Sequence, residues 1–185
     1  MNSKKFSVQT IAMIGVMAAL VFVGNALQLP KIPTPLGPTR IHLGNVMCIL
    51  GGLIFGPVAG GFAAGIGGAI FDLTDPNFAK EFWITFIMKF AMAYVAGFIA
   101  HIGKKTKAKV IIAAVAGSLS YVVLYLGKTF IVEYLIFKNP WQTVLGVLIT
   151  KGTTSCINAL LAMVVSVILF YMIDPALKKA RISIK

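Results

Sequence analysis

Long apolar runs dominate this chain, and they decide what it can become. Val8–Leu27, Phe82–Ile102, Val110–Phe137 and Val144–Ile173 are each long enough for a membrane-spanning helix, which takes about 20 residues at about 1.5 Å each. In hydrocarbon a backbone must satisfy its own hydrogen bonds, so such runs read as helices. Only 12% of the 185 residues are charged and 58% are hydrophobic, where a soluble domain carries about 25% charged. The expectation is an all-α integral membrane protein with one domain over residues 1–185.

Six transmembrane helices are predicted: Val8–Leu27, Leu43–Phe55, Val58–Leu73, Phe82–Ile102, Val110–Ile136 and Trp141–Ile173. The second and third are short and Gly-rich, with Gly56-Pro57 as the turn between them, and read as a protein-packed hairpin. The last exceeds the hydrocarbon thickness and should tilt or protrude. The first begins after Lys4 and Lys5 and resembles a signal peptide, with Gly24-Asn25-Ala26 as small residues at a cleavage spacing. Cleavage would leave an odd number of spans, so the helix is read as retained.

The formal net charge is +12. The basic residues punctuate the spans and form no stripe with interleaved aromatics, which argues for a positive-inside membrane protein and against nucleic acid. Lys4 and Lys5, then Lys104, Lys105, Lys107 and Lys109, then Lys178, Lys179, Arg181 and Lys185 fall on one side if there are six spans, so both termini are expected in the cytoplasm. Cys48 and Cys156 lack metal-ligand spacing and read as packing residues.

Three lysines stand inside apolar runs: Lys89, Lys128 and Lys151. A cation at the bilayer centre costs roughly 2.5–3.5 kcal/mol on the insertion scale, and is kept where it faces a cavity or partner. From the outer ends of their helices the three lie about 10, 12 and 15 Å deep, which lets them meet at one level. Their neighbours at helical spacing are polar or aromatic: Thr85 with Lys89; Tyr121 and Tyr125 with Lys128; Thr154, Ser155 and Asn158 with Lys151. Asp72, at the end of the third helix, and His42 and Asn45, at the start of the second, can join them. Trp83 and Trp141 fit an interfacial belt, with Trp83 placed to stack on a ligand. The competing reading is that each lysine snorkels to the interface, or, for Lys128, that it pairs instead with nearby Glu133.

Over these stripes runs the first outer loop, Gln28–Ile41, whose four prolines and one glycine exclude a helix. A loop this long reads as a binding lid, with Pro35, Leu36, Gly37 and Arg40 as candidate lid residues. The first helix carries a small-residue stripe, Ala12, Gly15 and Ala19, suited to close approach of another helix. Gly127-Lys128-Thr129 imitates the end of a phosphate-binding loop, but Val122 stands where that loop needs glycine. No HExxH or GxSxG motif is present, so no enzyme is expected, and no metal or bound cofactor. An autonomous secondary transporter is the alternative function, although the chain lacks the paired repeats common there.

The run Ile41–Asp72, IHLGNVMCILGGLIFGPVAGGFAAGIGGAIFD, followed by FWITFIMK ending at Lys89, resembles the substrate-binding S components of energy-coupling factor (ECF) vitamin importers. It is most similar to the branch with riboflavin-, hydroxymethylpyrimidine- and pyridoxine-type members. The resemblance implies one vitamin bound near the outer face under the first loop. It implies as partners a membrane scaffold subunit and two ATPase subunits, which use the ATP. It makes Lys89, Lys128, Lys151, Tyr125 and Asn158 substrate candidates, and Ala12, Gly15 and Ala19 the scaffold contact. Val16 departs from the best-known first-helix motif, and Gly15–Ala19 substitutes for it. From the resemblance alone, a pyridoxine- or hydroxymethylpyrimidine-like ring is the favoured substrate, with riboflavin, pantothenate and lipoate left open.

Overall fold

The computed structural model describes residues 7–34 and 38–179. Among them five helices, not the six expected, are long and apolar enough to cross a membrane. They are α1 (Val8–Ala26), α2 (Gly44–Leu73), α3 (Phe82–His101), α4 (Lys107–Phe130) and α5 (Trp141–Lys179). Helix α1 starts where the Ser7 hydroxyl accepts the Thr10 N–H at 3.1 Å, and α4 where the Thr106 hydroxyl accepts the Lys109 N–H; both are side-chain caps on otherwise unsatisfied donors.

The correction lies in α2. The two short helices predicted over Leu43–Phe55 and Val58–Leu73 are arms of one bent element, not separate spans. Neither arm reaches the ~20 residues of a spanning helix, and no polar loop divides them. Only Gly56 leaves helical geometry, at φ 82° and ψ −175°, a region essentially confined to glycine. Pro57 then restarts the helix, where its missing N–H costs nothing. The arms press backbone to backbone: a Cβ on Gly60 would stand 2.7 Å from the Gly51 carbonyl oxygen and the Gly52 Cα.

This bend arranges the rest. Both ends of α2 lie at one end of the bundle, Gly44 against Asn25 and Asp72 against Arg40. The bend lies at the other end, beside the His101 ring. Lys105 closes that end, donating to the Leu53 carbonyl at 2.8 Å with its ammonium over the Phe170 ring. The start of α1 and the end of α5 meet there too, along a groove lined by Ala12, Val16, Ile54, Phe55, Ile173 and Leu177. Helix α2 forms the centre of the bundle, with Ile49, Leu53 and Ala63 buried against Val21, Met92 and Ala113.

Two other elements differ from expectation. Helix α4 passes at Ile131 into a π-helical turn, Ile131–Ile136, where a continuous α-helix was expected. The last helix runs to Lys179, or about 58 Å at 1.5 Å per residue, well beyond a hydrocarbon core of about 30 Å. The proline-rich loop is extended, as its sequence requires, and pairs with itself through bridges at Gln28–His42 and Ile32–Thr39.

Candidate functional site

Arg40 organises the end of the bundle opposite the basic loop. Its position in the proline-rich loop brings the guanidinium over the end of α2. There it donates to Asp72 Oδ1 at 2.6 Å and to Asp75 Oδ2 at 3.0 Å. It lies between two rings, 4.8 Å from the Phe71 centroid and 4.1 Å from that of Phe78. Asp75 also accepts Lys31 Nζ at 2.9 Å. Burial pushes the Asp75 carboxyl up, but hydrogen bonds from Lys31 and Asn77 outweigh it and hold it below its ordinary range. The two aspartates thereby tie both strands of the loop to the helices below.

A second tie comes from α5. Asn158 Oδ1 accepts the His42 N–H at 3.0 Å, and its Nδ2 donates to the Arg40 carbonyl at 2.9 Å. His42 turns inward, and its Nδ1 accepts the Gly44 N–H at 3.1 Å. Burial, then the nearby charges of Lys89 and Arg40, hold its pKa well below the usual imidazole value. The ring is therefore neutral, as an accepting Nδ1 requires.

Beneath these ties lies a narrow pocket, with about 550 Å³ of empty space including its mouth. The loop supplies Thr39, Arg40 and His42; α2 supplies Asp72; α3 supplies Thr85, Met88 and Lys89. Tyr121 and Tyr125 of α4, stacked with centroids 5.9 Å apart, and Ser155 and Asn158 of α5 complete it. Lys89, 3% exposed, donates to Asn25 Oδ1 at 2.6 Å. Asn25 is itself oriented by a bond from its Nδ2 to the Val21 carbonyl.

Of the three lysines, the structure places Lys89 in this pocket and Lys128 and Lys151 in an adjoining cavity. Phe78, Glu81 and Tyr125 line both. The Lys128 ammonium pairs with Glu81 at 2.6 Å, not with Glu133, the partner its sequence position suggests. Thr154 is buried with its hydroxyl returned to the Thr150 carbonyl. Asn45 is buried with no partner for its Oδ1. Trp83 is 54% exposed and lines neither cavity. Pro35, Leu36 and Gly37 lie outside the described residues. Ala12, Gly15 and Ala19 all sit on the exposed face of α1.

Sequence reasoning missed Asn25, Asp75 and Phe78. In the sequence Asn25 stands out only within Gly24-Asn25-Ala26, as a small residue at a cleavage spacing, and Asp75 is an acidic residue in a short loop. Only their partners, 64 and 35 residues away in the chain, reveal their roles. An asparagine four residues beyond Val21, late in an apolar helix, was the one available signal, since a buried amide there needs a partner.

Fold and site together define a multi-pass membrane protein with a roofed polar pocket at one end of its helices. Comparison with known proteins narrows that class. The chain belongs to the family described as "ECF-type riboflavin transporter, S component", whose model matches residues 5–175. It is therefore a vitamin-transport component of the bacterial cell membrane, and not an enzyme. It is 27% identical over 105 residues to an uncharacterized protein of Pyrococcus woesei, a match covering 56% of this chain and 68% of that protein. It is 33% identical over 82 residues to a protein of Lactiplantibacillus plantarum described as a UPF0397 protein, covering 44% of this chain and 42% of that protein. Among the described residues no three His, Cys, Asp or Glu side chains group as metal ligands.

Proposed function

We propose that this S component captures a water-soluble vitamin built on a planar heteroaromatic ring. It passes the vitamin inward with a membrane scaffold subunit and two ATPase subunits that use the ATP. The observation that carries the reading is the pocket under the Arg40 loop. Stacked Tyr121 and Tyr125 offer a flat wall to a ring, and Lys89, Asn158, His42 and Asp72 offer donors and acceptors to its edge. Few fixed polar groups among aromatic walls is the usual make-up of a small-molecule site. The basic end, with Lys104, Lys105, Lys107 and Lys109, faces the cytoplasm by the positive-inside rule, so the pocket faces outward. The exposed stripe Ala12, Gly15 and Ala19 is the surface for the scaffold, because small side chains let a second helix approach closely.

Two substrate readings stand. The narrowness of this pocket favours a single ring, pyridoxine or hydroxymethylpyrimidine. The family match favours riboflavin. Titrating the purified chain with all three, followed by calorimetry, decides between them; saturable one-to-one binding of one is expected. In liposomes the chain alone should not concentrate that vitamin. Sustained accumulation driven by an ion gradient, without ATPase partners, overturns the S-component reading in favour of a secondary transporter.

A further inference from the structure

Lys89 is the buried cation of the ring pocket, and the group that fixes it lies outside the pocket. Among the described residues α1 contributes nothing to the lining. Its Asn25, 1% exposed, nevertheless accepts the Lys89 ammonium at 2.6 Å. The contact has one possible sense. Asn25 Nδ2 donates to the Val21 carbonyl one turn back at 2.9 Å, and an ammonium can only donate, so Oδ1 must face Lys89. Turning the amide over would set donor against donor at Lys89 and acceptor against acceptor at Val21. Close approach of the helices holds the backbone behind it: a Cβ on Gly24 would stand 3.2 Å from the Gly44 Cα. Two glycines make room for the pair itself. A Cβ on Gly44 would overlap Asn25 Oδ1, and one on Gly68 would overlap the Lys89 stem at Cδ.

That the partner is an amide has a consequence for charge. Asp72 also lines the pocket and lies within electrostatic reach of Lys89, but its carboxylate is paired with Arg40 at 2.6 Å. Among the described residues Lys89 forms no ion pair. A carboxylate in place of Asn25 would hold the ammonium and cancel its charge. A neutral carbonyl holds it and leaves the charge to strengthen a bond to something else in the pocket. An ammonium has three N–H donors; Asn25 takes one and so sets the directions of the other two. We propose that Asn25 is a positioning residue that, without touching the ligand, holds the Lys89 ammonium ready for an acceptor atom on the edge of the ligand ring and thereby sets the affinity for it. The inference rests on the ring-vitamin reading and names what prepares the buried cation of that site.

The test is a double-variant cycle on the purified full-length chain. It is titrated by calorimetry with whichever of riboflavin, pyridoxine and hydroxymethylpyrimidine binds the wild type. Asn25→Leu keeps the size of the side chain and removes the acceptor. It should weaken binding about tenfold, the scale of one hydrogen bond to a charged group. In a Lys89→Met background the same substitution should change affinity by less than about twofold, because no ammonium remains to be positioned. The double variant should also regain the Tm that Asn25→Leu loses, since removing both partners strands no buried charge. Gly44→Ala is an independent probe. Its Cβ pushes the Asn25 amide, the movable end of a side chain, away from Lys89, and should weaken binding in the wild type but not in the Lys89→Met background. If Asn25→Leu does not fold, Gly44→Ala decides by the same comparison; if Lys89→Met binds too weakly to titrate, the Tm recovery decides. An equal loss of affinity in both backgrounds, no recovery of Tm in the double variant, or wild-type binding by both Asn25→Leu and Gly44→Ala overturns the positioning role and leaves the ring pocket standing. If none of the three vitamins binds the wild type, the functional reading fails and the inference with it.

Discussion

Replacing Arg40 with methionine tests the ion cluster that roofs the pocket. The Asp72 carboxylate is 3% exposed, and its hydrogen bond to Arg40 is 2.6 Å long. Without the guanidinium the carboxylate stays buried and loses that bond, and breaking a buried pair in this way costs about 3–5 kcal/mol. Lys89 lies within electrostatic reach of Asp72 and offsets part of the loss, which puts the expected cost near 3 kcal/mol. At about 2–4 °C per kcal/mol for a chain of this size, Tm falls by about 6–12 °C. Thermal unfolding in detergent measures it. The double variant Arg40→Met/Asp72→Asn, which removes the stranded charge, should regain at least half of the loss. Lys31→Met is the control: its side chain is 34% exposed and Asp75 keeps Arg40, so its cost stays below about 1 kcal/mol. A Tm for Arg40→Met within about 2 °C of wild type, or no recovery in the double variant, refutes the reasoning.

Two further predictions concern the fold and the partner face. At Gly97 of α3 a Cβ would stand 2.5 Å from the Gly56 carbonyl carbon and 2.6 Å from the Pro57 nitrogen; both are backbone atoms, so Gly97→Ala should destabilise by about 1–3 kcal/mol, read as a lower Tm with the bend displaced. At Gly15 a Cβ meets nothing within 4 Å, so Gly15→Leu should leave Tm and vitamin affinity of the isolated chain unchanged and reduce uptake in cells supplying the partner subunits. Loss of binding in Gly15→Leu shows instead that the face serves the pocket.

The membrane class and the helices around the lysines were legible in the sequence because they depend on local quantities, whereas the single cavity expected for all three lysines divides into two. Hydrophobic length makes a helix in lipid wherever the helix sits, and an ammonium such as Lys89 in an apolar run demands polar company that some other part of the chain must supply. Arg40 was legible as a residue of the loop over the site, and Tyr125 and Asn158 as residues on the lysine-bearing faces. Tertiary structure decided what those groups meet. Gly56-Pro57 reads equally well as a loop between two spans or a bend within one element, and only the contact of Gly60 with Gly51 and Gly52 sets the arms against each other. The partner of Lys128 was Glu81, 47 residues away, rather than Glu133 five residues away. Helix periodicity ranks near neighbours and is blind to α3 lying beside α4. The π-turn at Ile131 was invisible for the same reason, since its sequence, IVEYLI, is an ordinary apolar helix until it is packed. Sequence determined which groups had to be buried together, because burial follows from composition and period. The fold determined which of them touch, because ion pairs and close backbone contacts depend on distances that hydrophobic pattern does not encode.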